Sequence, residues 1–495
     1  MSDQTPLYVP SWLQMPEHPE VLEPTIWEQN FSRAESGELL VDGTPVEQLR
    51  ERFGTPQYVF SESVFRRRAR TFRVAFEQAF EAVGAPVSIY YAGKSFLCSA
   101  VAHWADDEGL YLDTASGGEL ALAIRAGVPA HKVALHGNNK SDAEIRRALE
   151  YGVGRIVADS VPEVQQIARI AESMGVIAPV LLRLTPGVHA STHDFIATAH
   201  EDQKFGQSLV SGTAELSGLD SQTLTGLGIG QEDSYATVAA VLAHQSQHLD
   251  FRGVHCHIGS QIFEADGFIA AATKVLEYMQ YLNQRLGINL AELDLGGGYG
   301  IGYICSDTPR EAEHIAQELA DSIAQTCARL SMAIPHMSFE PGRSISGPSG
   351  MTLYTVGTVK DVAVEDENGQ TRVRRYVSVD GGMSDNARPV LYEADYTAVL
   401  ANRAPTGEQV LSRVVGKHCE SGDVVVRYVY LPQDIRAGDM LAVPATGAYC
   451  YALSSNYNYL TRPPVVSTAT DQEPSVIVRG QSEDEMLSYD VEITQ

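Results

Sequence analysis

Val87-Ser88-Ile89-Tyr90-Tyr91-Ala92-Gly93-Lys94 is an apolar run that stops at a glycine and a lysine. Near-continuous apolar character, without alternation, suits a parallel strand buried on both faces. Seven more runs between Val87 and Glu340 repeat the pattern: Leu110–Asp113, Val133–His136, Arg155–Ala158, Val180–Leu184, Gly253–His257, Leu293–Leu295 and Met337–Glu340. The stretches between them read as helices. Ser141-x-x-Glu144 predicts a capping box that opens a helix closed by Gly152, and Ser160-x-x-Glu163 repeats the device with Gly175 as its stop. Eight strand–helix alternations predict an α/β fold, a (β/α)₈ TIM barrel. An open doubly wound sheet is the alternative. The barrel is preferred because it collects every polar strand tip at one mouth.

Length and charge set the frame. The chain has 495 residues, enough for two or three domains. Lys and Arg total 36 against 63 Asp and Glu, and the net charge of −27 argues against nucleic acid or an anionic membrane as partner. No apolar run approaches the ~20 residues that span a bilayer, and the first residues do not read as a signal peptide. Cys98, Cys256, Cys305, Cys327, Cys419 and Cys450 form no Cys-x-x-Cys pair, which predicts free thiols in the cytoplasm.

Outside the barrel the texture changes. Pro186 to about Ser234 is too long for a simple link, and His189–Phe205 (189–205) is expected to be a lid over the barrel mouth. Tyr354–Val364 and Val373–Val379 flank the turn signal Asn368-Gly369, and Val424–Leu431 and Met440–Val443 continue the strand texture. The expected organisation is an extended arm over 1–36, strand residues over 37–61 that join a β domain through Tyr58–Phe60, a barrel over 62–338, and a C-terminal all-β, barrel-like domain over 339–495.

Several strand tips carry chemistry. A strand-end lysine alone is ordinarily a solvated surface group, yet Lys94 could form a Schiff base with a cofactor aldehyde. Gly296-Gly297-Gly298-Tyr299-Gly300 reads either as turn geometry or as an anion nest for a phosphate. His257 could stack on a flat ring, with Ser260 bonding a phosphate oxygen; a core histidine is the other reading. Metal is set aside at His255-x-His257, because alternate strand residues face opposite sides and no carboxylate or third histidine stands nearby in sequence. Glu340 could hold a pyridine nitrogen, and Arg343 a carboxylate through its fork, against the plainer reading of a surface pair. An amine, a histidine, a glycine nest and a carboxylate beside an arginine are the parts that hold pyridoxal phosphate. In the β region Asp380-Gly381-Gly382-Met383 with Arg388 and Tyr392, Cys419-Glu420-Ser421-Gly422-Asp423, and Gly447-Ala448-Tyr449 stand out. Read alone, Cys419 is a small buried hydrophobe rather than a reactive thiol.

Together and in this order, Tyr91-Ala92-x-Lys94, His257-x-Gly259-Ser260, Gly296-Gly297-Gly298-x-Gly300, Glu340-Pro341-Gly342-Arg343, Cys419-Glu420-Ser421-Gly422-Asp423 and Gly447-Ala448-Tyr449 resemble the fold-type III pyridoxal-phosphate decarboxylases, from about Gly54 to Asp490. The resemblance implies an alanine racemase-like barrel with a β domain and pyridoxal 5'-phosphate as cofactor. It implies Lys94 as the cofactor lysine, His257 on the ring, Glu340 on the pyridine nitrogen, and Asp113 as an active-site acid. Ser260, Gly297, Gly298 and Gly342 would receive the phosphate. Arg343, Arg388, Tyr392, Glu420 and Tyr449 would meet the substrate, with Arg343 and Tyr449 also near the cofactor, and Cys419 would give the proton. It further implies a homodimer in which Cys419 and Glu420 come from the other subunit. Tyr299 stands where the family often has an aliphatic residue.

The activity implied is decarboxylation of meso-2,6-diaminopimelate to L-lysine, the last step of lysine biosynthesis. The far end of that substrate is a second amino-acid head, which needs cations for its carboxylate and an anion for its ammonium. Arg343, Arg388 and Glu420 supply both, and leaving such groups unpaired can cost ~10⁴ in discrimination. The alternatives are a carboxynorspermidine, arginine or ornithine decarboxylase, or a catalytically dead regulatory homologue.

Overall fold

The computed structural model describes residues 8–188, 204–211, 221–230 and 233–491. The chain divides into two compact units, one of Met1–Arg67, Ile301–Pro309 and Arg343–Gln495, the other of Arg68–Gly300 and Arg310–Gly342.

In the second unit the eight apolar runs are parallel strands: Val87–Ala92, Tyr111–Thr114, Val133–Leu135, Arg155–Ala158, Ala178–Thr185, Leu249–Cys256, Glu292–Asp294 and His336–Phe339. Each pairs with the next in sequence, and the eighth returns to the first through Met337↔Val87 and Phe339↔Ile89. That last pairing closes the barrel and excludes the open sheet. Much of the wall is apolar, with Val133, Leu135, Val180 and Val254 inaccessible to solvent. Outside it, the 62–82 helix sets Phe72, Phe76 and Phe80 at every fourth position, one stripe of its surface. Phe76 and Phe80 meet Phe339 of the eighth strand at ring separations of 4.5 and 5.4 Å.

The two expected helix starts differ. Ser141 and Glu144 form a full capping box, with Gly152 left-handed at the far end. Ser160 caps Glu163 N, but Glu163 does not reach back to it. Instead its carboxylate turns inward, accepting from Asp159 N at 2.7 Å and from the buried Lys140 Nζ at 3.0 Å. A buried ammonium outcompetes a cap for that carboxylate because it has no water to replace it. Most of the expected lid, 189–203, lies outside the described residues.

The other unit is built on β-structure. Gln57–Ser61 sits centrally, antiparallel to Gly350–Glu365 and parallel to Val465–Thr468. The sheet continues through Thr371–Val379, Gln409–Val415 and Val424–Pro432. Asn368 and Gly369 do form a turn, but a wider one than a two-residue hairpin: Asp366 Oδ1 accepts from Asn368 N and Gln370 N, both at 2.9 Å. Val59, Met351, Leu353, Ala442 and Val466 make the core. The arm runs against this same unit, burying Ile26 and Trp27 in that core and setting Trp12 edge-on to Tyr428 at 6.4 Å.

Candidate active site

Strand tips converge on a cavity of about 310 Å³ inside the barrel unit. Lys94 follows the first strand, Asp113 lies in the second, His136 follows the third, and Glu340 follows the eighth; Arg183, His255 and His257 complete the ring of polar side chains. Parallel strands all end on one side of a barrel, which is why residues up to 246 positions apart in sequence meet here.

Glu340 is the electrostatic centre. His255 Nε2 lies 3.0 Å from Glu340 Oε1, and His136 Nε2 lies 3.5 Å from the same oxygen. His136 Nε2 also reaches Asp113 Oδ1 at 3.2 Å. Burial drives both histidines down to about 4, so each is a neutral ring whose Nε2 stands beside the carboxylate. Burial by itself would raise Glu340, but His136, His255 and Lys94 around it prevail and hold it well below the usual carboxylate range. Asp113 and Asp294 go the other way. Burial first, and then the Glu340 charge, push both well above the ordinary range. Of these three buried carboxyls, Glu340 is the one whose surroundings favour the charged form.

His255 and His257 line the same cavity, against the expectation that they face opposite sides, because residues two apart on a strand share a face. The strand ends at Cys256, with His257 the first residue beyond it. Setting metal aside for want of neighbours also fails in three dimensions. The ligand-capable atoms of His136, His255 and Glu340 lie within 4.8 Å of one another, brought together by strands distant in sequence.

Close approach explains the glycine run. A Cβ on Gly297 would stand 2.1 Å from Glu340 O, and one on Gly298 (φ +123°) 2.4 Å from Gly259 O. Ile262 N donates to Gly298 O and Gly300 N to Ile262 O, each at 2.9 Å, so the run lies alongside the loop that carries Ser260. A Cβ on Gly342 would lie 2.9 Å from Ala92 Cβ. Gly297 N donates to His257 Nδ1 at 3.3 Å, and burial holds that imidazole far below its usual range, leaving a neutral flat ring at the cavity wall. Tyr299 fills its place by stacking on Phe268 at 4.9 Å.

Within the β unit, Arg343 and Arg388 are both buried and share one tyrosine. Arg343 Nη1 donates to Tyr303 Oη at 2.6 Å, and its guanidinium lies 4.7 Å from the Tyr449 ring. Arg388 lies 4.8 Å from the Tyr303 ring and donates to Tyr396 Oη at 2.6 Å. Tyr449 holds a left-handed φ of +64°. Tyr392 ends the short helix Arg388–Tyr392 with its side chain partly exposed. Cys419 and Glu420 are exposed, with Glu420 Oε1 accepting from Gly422 N at 3.2 Å; Cys419 is therefore not the buried hydrophobe its residue type suggests.

Similarity to known proteins agrees with this geometry. The family described as pyridoxal-dependent decarboxylase, pyridoxal binding domain, matches residues 65–230 and 228–347. The chain is 44% identical to the diaminopimelate decarboxylase of Corynebacterium efficiens over 94% of each chain. It is 44% identical to that of Mycobacterium tuberculosis over 95% of this chain and 98% of the other. The crystal structure of diaminopimelate decarboxylase from M. jannaschii in complex with L-lysine superposes with a TM-score of 0.79 at 28% identity, covering 94% of this chain and 98% of that one. The chain belongs to the pyridoxal-dependent decarboxylases.

Pyridoxal phosphate fits what this decarboxylase presents. The cavity has an amine on its wall, a flat neutral imidazole, a carboxylate flanked by two histidines, and Asp113 Oδ2 buried with no hydrogen-bond partner among the described residues. The residues that sequence reasoning overlooked are His136, Arg183, Tyr303, Tyr396 and Asp294. His136 ends its run as visibly as Lys94 does, so its position at a strand tip was a usable signal. Tyr303 and Tyr396 offered none, since each is one tyrosine among 22.

Proposed function

We propose that this decarboxylase converts meso-2,6-diaminopimelate to L-lysine and carbon dioxide. The observation that carries the choice of substrate is the pair of buried arginines, Arg343 and Arg388, joined through Tyr303. Two desolvated guanidinium groups side by side call for an anion, and diaminopimelate has a distal carboxylate where ornithine has none. The L-lysine bound in the M. jannaschii relative supports the same reading, since lysine is the product.

When bound, pyridoxal phosphate supplies an aldehyde that bonds amines and a cationic ring that withdraws electrons from the substrate's α-carbon. Lys94 is the amine that would anchor it. Glu340 would hold the proton on the ring nitrogen, with His136 and His255 beside the carboxylate. His257 would stack on the ring, Asp113 would face it as an acid, and Ser260, Gly297, Gly298 and Gly342 would surround the phosphate. Arg343, Arg388 and Tyr392 bind the distal carboxylate, Glu420 binds the distal ammonium, and Tyr449 orients the bound molecule. The α-carbon loses carbon dioxide and gains one proton, which Cys419 delivers.

The active unit in this reading is a homodimer in which each chain lends Cys419 and Glu420 to the other's site. Exposure of these two residues, and of the apolar Val390 and Leu391, 41% and 54% accessible, supports it. No helix among the described residues is long and apolar enough to cross a membrane. The enzyme acts in the cytoplasm on a small amino acid, without nucleic acid or membrane. The test is carbon dioxide release by the purified protein with meso-diaminopimelate, ornithine, arginine and carboxynorspermidine in parallel, with products identified by mass. Lysine from diaminopimelate alone is expected. Turnover of another substrate without diaminopimelate, or of none, overturns the proposal.

A further inference from the structure

Cys419 hangs from a buried device that its assigned role does not account for. The preceding residue, His418, has a fully buried side chain and pairs with Asp423, itself 3% exposed. Asp423 Oδ2 accepts from His418 Nδ1 at 2.9 Å and from His418 N at 2.8 Å, while its Oδ1 accepts from Met383 N at 2.6 Å. A carboxylate accepting three hydrogen bonds fixes the tautomer: Nδ1 carries the proton, and the buried Nε2 has no partner among the described residues. The chain makes room for this pair with glycine. A Cβ on Gly416 would lie 2.2 Å from Asp423 Oδ2, and one on Gly382 would lie 2.6 Å from His418 Nδ1.

The loop is held on its other side too. The His418 ring lies over Tyr457 at 5.6 Å and nearly parallel, at 8°. Cys419 N donates to Asn458 Oδ1 at 3.1 Å, from a residue with a left-handed φ of +52°. At the base, Gly416 N donates to Asp423 O and Lys417 N to Gly381 O. Thus the residue before Cys419 is clamped through its side chain and the backbone of Cys419 is clamped directly, while residues 419 and 420 stay exposed. An exposed thiol on an otherwise free loop would sample many positions. This one is tethered at both flanks.

We infer that His418 and Asp423 are positioning residues, which hold the Cys419 thiol at the place from which it can deliver its proton to the α-carbon. This rests on the reading of Cys419 as proton donor. The contacts of the pair are with this loop and its supports, and it acts through them. A misplacement of about 1 Å at a reacting group can cost on the order of 100-fold in rate.

The test compares full-length, cofactor-loaded Cys419→Ala, Asp423→Asn, His418→Phe and His418→Asn. Phenylalanine keeps the stack on Tyr457 and loses the donor; asparagine loses the stack and keeps an N–H where Nδ1 stands. Asp423→Asn and His418→Phe are expected to lower kcat by about 10- to 100-fold with KM within about twofold, and to enlarge the solvent deuterium isotope effect on kcat, because proton delivery becomes slow. His418→Asn is expected to retain more kcat than His418→Phe. Melting temperature and cofactor absorbance separate unfolding from mispositioning. If Asp423→Asn keeps wild-type kcat, or if Phe outperforms Asn with an unchanged isotope effect, the pair is packing alone and the inference is overturned. If Cys419→Ala itself turns over normally, the fault lies with the role of Cys419, which this control shows independently.

Discussion

Lys94, Asp113, His136 and Glu340 stand at the ends of barrel strands, whereas Arg388, Cys419 and Glu420 stand on a short helix and a loop of the β unit. The barrel group is placed by backbone register: once Phe339 pairs with Ile89, and Ala92 with Asp113, the tips have little freedom left. The β-unit group is placed by side chains. Tyr303 and Tyr396 aim the arginines, and Asp423 holds the loop before Cys419. The electrostatics follow the same division. Burial inside the barrel sets three carboxyls apart in proton affinity, while the Cys419–Glu420 loop is exposed. Register fixes positions cheaply and keeps charges dry; side-chain bracing sets up groups that must meet something outside the chain.

That contrast can be broken at several points. The largest effect expected is from Lys94→Ala, which should reduce turnover by about 10⁴-fold or more, as loss of a nucleophile does. Borohydride should then leave no cofactor mass on the peptide; a retained adduct would mean another amine does the work. Next comes Glu340→Gln, which removes the one charge that the histidines hold, with kcat expected to fall about 10²- to 10³-fold. In the β unit, Arg388→Lys keeps the charge but loses the planar fork. It should raise KM for diaminopimelate about 10-fold or more with a smaller change in kcat, measured by initial rates; an unchanged KM would remove Arg388 from the substrate site.

Stability should show the same asymmetry. His136 and His255 stand near 4 in the fold against 6.5 unperturbed, so between those values the unfolded chain binds more protons. Their contribution is complete above about pH 6.5 and is lost as pH falls toward 4. Melting curves from pH 7 to 4.5 should therefore drop further for the wild type than for His255→Phe, and parallel drops would contradict the buried neutral histidine. The smallest effect is at a helix end. Ser141→Ala should cost about 1 kcal/mol in urea melts, and more than Ser160→Ala, whose cap lacks the reciprocal half.

Some of this molecule is readable without coordinates. Runs such as Val87–Ala92 and Val133–Leu135 announce buried parallel strands because a strand covered on both faces must be apolar throughout. Polar residues at the ends of such runs then mark the mouth, which located Lys94, Asp113, His257 and Glu340. Local patterns carry that much because backbone geometry repeats every residue. What no local pattern holds is which distant side chains share a volume. That Glu340 is pushed toward the charged form between His136 and His255 while Asp113 and Asp294 are pushed away from it depends on burial and on separations of a few ångströms. The same holds for Glu163, drawn from its cap to Lys140, and for Tyr303 between two arginines. Coulomb and desolvation energies vary with distance and with the exclusion of water, and both are properties of the packed chain rather than of any segment of it.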